Sequence, residues 1–161
     1  MVDGRELASA LTSIVEAAAA RMLTIADDVA GKPRAAGKWS RKQIVGHLID
    51  SAVNNQARFV RAQMQQDLVF DGYDQEAWVR VQRYEQQPWV ELVRAWQVYN
   101  AQVAAIMRTA SPAEIDRARS PHNLDRIGFK SLPPGREATL GFLMRDYVDH
   151  LQHHVAQVLG A

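Results

Sequence analysis

Residues 139–160 read TLGFLMRDYVDHLQHHVAQVLG and decide the fold class. Thr139 can cap a first-turn amide, Gly160 marks the end, and no proline interrupts the stretch between them. This is an amphipathic helix of about six turns, and such a helix is stable in water mainly through packing its apolar face on other elements. The partners lie upstream. Residues 111–135, SPAEIDRARSPHNLDRIGFKSLPPG, are polar and carry Pro112, Pro121, Pro133, Pro134 and Gly135, so they are expected to form a long irregular loop. Before that loop, Pro88 opens a helix to about Arg108 in which Leu92, Trp96, Tyr99, Val103 and Ile106 follow the helical period.

Two further long helices precede it. Ser40 is placed to cap a helix running to about Gln66, with Ile44, Leu48, Ala52 and Phe59 on one face and Trp39 just outside as a hydrophobic staple. Gly46 costs that helix some stability. The connector DLVFDGYDQEAWVRVQRYEQQP turns at Asp71-Gly72 and holds a short helical piece from about Asp74. The first helix is expected from Asp3 to Val29, on Leu7, Leu11, Ile14, Val15, Ala18, Met22 and Ile25, and is broken by Gly31, Pro33 and Gly37. Four long amphipathic helices without a strand pattern predict an all-α four-helix bundle, an architecture whose facing side chains often hold metals.

Composition narrows the function. The 161 residues suit one domain spanning 1–161, and 47% apolar with 23% charged residues suits a packed core. Nineteen basic and eighteen acidic residues give a net charge of +1, too little field to favour nucleic acid or an anionic membrane surface. No run is apolar enough for a membrane span, and the first residues, with Asp3 and Glu6, do not read as a secretory signal. The absence of cysteine fits a cytoplasmic protein and limits metal ligands to His, Asp, Glu and water.

His150 and His154 are four residues apart, on nearly one face of the last helix, and can address one ion. His153 points elsewhere. The competing reading is a solvated pair near a helix C-terminus, where positive charge meets the dipole. His47, among the apolar residues of IVGHLID, needs a buried partner, either a carbonyl or a metal. If the two helices pack together, three imidazoles meet, the three-ligand arrangement of a catalytic zinc site with a position left open; nickel, cobalt or iron(II) would be accepted too. Asp50 and Asp146, three residues after His47 and four before His150, are candidate carboxylates to orient the imidazoles or assist catalysis, or else exposed surface groups. Gln157 could bond a water or substrate. His122 could reach the site mouth, and Arg58 and Arg61 could receive an anionic substrate; each is by default solvated. Trp78, Trp89 and Trp96 are core or pocket lining.

The residues Lys38-Trp39-Ser40 with Ile44 through Asp50, then Gly72-Tyr73-Asp74-Gln75 and Trp78, then Asp149 through His154 with Gln157, resemble the DinB-like superfamily in its small metal-binding, YfiT-related branch. The resemblance covers nearly the whole chain. It implies an up-down-down-up four-helix bundle, often a homodimer, whose metal ligands fall on His47, His150 and His154. Its members include metal-dependent hydrolases and transferases that join low-molecular-weight thiols such as bacillithiol, mycothiol or glutathione to electrophiles. The resulting expectation is a thiol-dependent S-transferase with a divalent ion (Zn, Ni or Fe) and an external thiol acting on a small molecule. The alternatives are a hydrolase and a non-enzymatic metal-binding bundle.

Overall fold

The computed structural model describes residues 2–160. Four long helices dominate it: α1 (Gly4–Met22), α3 (Arg41–Ala62), α5 (Trp89–Thr109) and α8 (Leu140–Leu159), with the short α2 (Asp27–Gly31), α4 (Gln75–Gln82), α6 (Pro112–Asp116) and α7 (Leu124–Ile127) between them. No strand forms among the described residues, only three isolated bridges. None of the helices is long and apolar enough to cross a membrane.

The caps are those their sequences allow. Ser40 accepts from Gln43 N while the Gln43 side chain accepts from Ser40 N, a reciprocal capping box at the start of α3. Thr139 caps α8 through Phe142 N, and Gly160 closes it at φ 75°. The first helix is shorter than its periodicity suggests. The Thr24 hydroxyl bonds Arg21 O and the Trp89 indole donates to Met22 O, taking carbonyls at the last turn, so the chain bends and α2 starts separately at Asp27. Asp27 then accepts from Trp89 N and Lys42 Nζ, tying α2 to the starts of α5 and α3. The expected loop from Ser111 to Gly135 is partly ordered by α6 and α7.

Neighbour relations give the topology. The end of α1 meets the start of α5, while the start of α1 lies against the C-terminal end of α5 at Met107 and beside the start of α8 at Gly141. Thus α1 runs antiparallel to α5 and parallel to α8. Asn100 of α5 bonds Tyr147 of α8, whose ring meets Phe59 of α3, while the starts of α3 and α5 share Asp27. The directions are up, down, down, up. The core between them includes Leu11, Met22, Ile44, Leu48, Phe59, Trp89, Leu92, Trp96 and Met107, each under 3% exposed, and burying side chains of this size contributes about 1.5–3 kcal/mol apiece. Trp89 and Trp96 are core residues; Trp78 sits outside, its ring tilted against that of Tyr73.

Candidate metal centre

Because α3 and α8 run antiparallel, the early turns of α3 face the late turns of α8. His47, 1% exposed, comes to meet His150 with Nε2 atoms 3.2 Å apart. His154 completes a group in which one ligand atom from each imidazole lies within 4.8 Å of the others. Donors bound to one tetrahedral zinc at 2.0–2.1 Å stand about 3.3 Å apart, so the His47–His150 pair already has the required spacing, with the third donor within 4.8 Å of both. The rings meet edge to face, with centroids 4.6 to 5.2 Å apart.

Charge state suits the same role. Burial, with the other imidazoles adding to it, lowers the His47 pKa to about 4 and the His150 pKa to about 3; burial also lowers that of His154. All three are therefore neutral at pH 7, with a lone pair ready for a cation. The tautomer of His154 is set by Gln157, whose Oε1 lies 2.8 Å from Nδ1 and receives its proton, leaving Nε2 as the ligand atom. The Gln157 amide in turn bonds His153 Nε2 at 3.1 Å. His153 is exposed and lies outside the converging set. Ser51 Oγ is 3.5 Å from His150 Nδ1, and His47 Nδ1 is buried without a partner.

Neither candidate carboxylate orients a ligand imidazole. Asp50 accepts from the Tyr84 hydroxyl and from Gln82 Nε2, both at 2.7 Å, and its other oxygen is buried without a partner. Tyr84 reaches it because the ring lies on Gly46, where no β-carbon would fit. Asp146 accepts from Phe129 N at 2.8 Å and Lys130 N at 2.6 Å, so it pins the end of the long loop to α8. Burial is the first cause raising the pKa of both carboxyls. His122 also serves the loop: its Nε2 bonds Arg136 O and its Nδ1 accepts from Leu124 N. Arg61 lies over the Phe70 ring at the surface.

The imidazoles of His150 and His154 open onto a cavity of about 360 Å³. One wall is α3 at Ser51, Asn55 and Arg58; another is the segment from Arg126 to Phe129, which belongs to the long loop. Phe129 sets its ring against both His150 and His153 at 5.4 Å. The role of Tyr84, seated on Gly46, and of Gln82 as the partners of Asp50 had no sequence signal beyond an unexplained mid-helix glycine.

A family model described as the DinB superfamily matches residues 10–158. The chain belongs to the DinB superfamily. Among solved structures, YfiT from Bacillus subtilis, described as "a probable metal-dependent hydrolase with an unusual four-helix bundle topology", matches with a TM-score of 0.73 at 20% identity over 95% of this chain and 84% of that one. At this identity the likeness shows the fold. No curated protein gives a significant match.

Proposed function

We propose that this DinB protein is a metal-dependent S-transferase, joining an external low-molecular-weight thiol to a small electrophile at a divalent zinc, nickel or iron ion. The observation that carries the reading is a cluster of neutral imidazoles open to a polar cavity whose one carboxylate, Asp146, is committed to loop amides. A divalent ion held by His47, His150 and His154 supplies Lewis acidity, which makes a thiol or a water nucleophilic near neutral pH. The placement of the carboxylates supports the thiol over water. A water nucleophile needs a nearby group to take protons through the reaction, whereas a thiol starts with a pKa near 8.5 and needs only to lose one. Asp146 and Asp50 are both held by other partners. With no cysteine in the sequence, the thiol comes from outside. Gln157 holds the His154 ring, and the Phe129 ring lies against His150.

Hydrolysis is the second reading, favoured by the description of YfiT and by His153, which lines the cavity and could accept a proton. Its Nε2 already accepts from Gln157, so only Nδ1 would serve. A cytoplasmic homodimer forms part of the same proposal, to be tested by cell fractionation and light scattering. The deciding assay follows consumption of several thiols with 1-chloro-2,4-dinitrobenzene, alongside a panel of esters and amides, with and without added zinc. Zinc-dependent thiol conjugation that chelation stops and His150→Ala abolishes is the expected result. Zinc-dependent ester or amide cleavage without thiol consumption would replace this reading with hydrolysis; inactivity in both would leave a binding protein.

A further inference from the structure

The cavity beside the histidines contains a buried positive charge that the metal reading does not use. Arg58 is 7% exposed, lines the cavity, and makes one hydrogen bond, from Nη2 to the carbonyl of Asp71. Among the described residues no carboxylate pairs with it. A guanidinium has five N–H donors, so four stand free, and a charge withdrawn from water to this degree ordinarily has an anionic partner. Burial disfavours its charged form, and Tyr73 lines the same cavity. Asp146, the only acid in the wall, has both oxygens turned to the amides of Phe129 and Lys130. Arg126 also lines the cavity but is exposed to solvent, so Arg58 is the one buried cation of the lining.

The placement has a direction. His47, Ser51, Asn55 and Arg58 are spaced by four, four and three residues, so they form one polar stripe along α3, and eleven residues of helix put about 16 Å between the first and last Cα atoms. Allowing for the reach of the arginine, a molecule with its reacting atom at the imidazoles would have a second recognition point on the order of 10 Å away.

We propose that Arg58 binds a carboxylate of the substrate that reacts at the histidine cluster. This rests on the reading of that cluster as an active site and names the class of molecule it takes. A carboxylate fits better than a phosphate, because one planar guanidinium balances one negative charge and matches two coplanar oxygens. Arg58 is thus a binding residue; its bond to Asp71 also helps place the segment bearing Tyr73.

The test uses the zinc-loaded full-length protein and two probes, S-methylglutathione and its diethyl ester, with affinities measured by calorimetry. Neither probe has a free thiol. The acid should bind wild type at least ten-fold more tightly than the ester. Arg58→Gln should erase that preference at unchanged zinc content and helicity, and Arg58→Lys should restore part of it. Equal binding of acid and ester to wild type, binding of neither at millimolar concentration, or a preference that survives Arg58→Gln would overturn the proposal. The preference in wild type is read without any variant, so a misfolded mutant leaves the test intact. An acid preference without glutathione consumption would sink the thiol-transfer reading alone; consumption of glutathione and its diester at equal KM would sink the carboxylate site alone.

Discussion

Tyr84 rests on Gly46 so closely that a β-carbon there would enter the phenol ring, and from that seat its hydroxyl donates to Asp50 at 2.7 Å. The glycine therefore has a packing purpose one residue before a metal-ligand candidate. By helix propensity alone Gly46→Ala would stabilise α3 by up to about 1 kcal/mol. The rigid ring reverses the sign: the expected net loss is about 2 kcal/mol, measured by urea denaturation of the metal-free protein. Tyr84→Phe, which keeps the ring and removes one bond to Asp50, should cost about 1 kcal/mol. An alanine variant more stable than wild type would show that the ring moves aside freely.

The Asp146 carboxylate holds the amides of Phe129 and Lys130 against α8. In Asp146→Ala both amides lose their acceptor, while no contact of the three imidazoles is removed. Faster amide exchange and faster proteolysis confined to residues 125–135, at undiminished metal content, are expected. Loss of metal with an unaffected loop would instead make Asp146 part of the ion's surroundings.

Gln157 is the hydrogen-bond partner that orients His154. Removing such a partner typically weakens a metal site 10- to 100-fold. Competition with a chromogenic chelator should place the zinc affinity of Gln157→Ala in that range below wild type; an unchanged affinity would show that packing already fixes the ring.

The metal-free protein should lose stability in acid through its histidines. His150 has a pKa lowered from 6.5 to about 3 on folding, so between these values the unfolded chain binds the proton and the folded chain does not. Stability is complete above pH 6.5 and falls as pH drops toward 3. Asp50 and Asp146, with raised values, act in the opposite direction, so the informative quantity is the difference from His150→Gln. From pH 7 to pH 4 wild type should lose up to about 3 kcal/mol relative to that variant. Parallel stability curves would show that His150 titrates normally in the folded protein.

Much of this structure is legible in the residues. Helical periodicity with Ser40 and Thr139 as caps locates α3 and α8, and the four-residue step from His150 to His154 is itself a statement about one helix face. The buried context of His47 points to its partners because an imidazole amid Ile44, Leu48 and Ile49 must be satisfied by something. What the sequence hides depends on contacts between distant segments. The end of α1 at Met22 is set by the indole of Trp89, and no local pattern announces it. Asp50 and Asp146 sit at spacings suited to orienting His47 and His150, but their directions are decided by a tyrosine 34 residues away and by loop amides 16 and 17 residues away. Arg58 looks like a surface residue, and its burial and its bond to Asp71 O depend on a segment 13 residues away.

The central claim is that His47, His150 and His154 hold one divalent ion together. It is tested most directly by zinc stoichiometry of tag-free protein after reconstitution and desalting, with helicity checked on each variant. Wild type and His153→Ala should retain one zinc per chain, and His47→Ala, His150→Ala and His154→Ala should each lose it while remaining helical. One zinc per chain in a folded His47→Ala protein would contradict the claim.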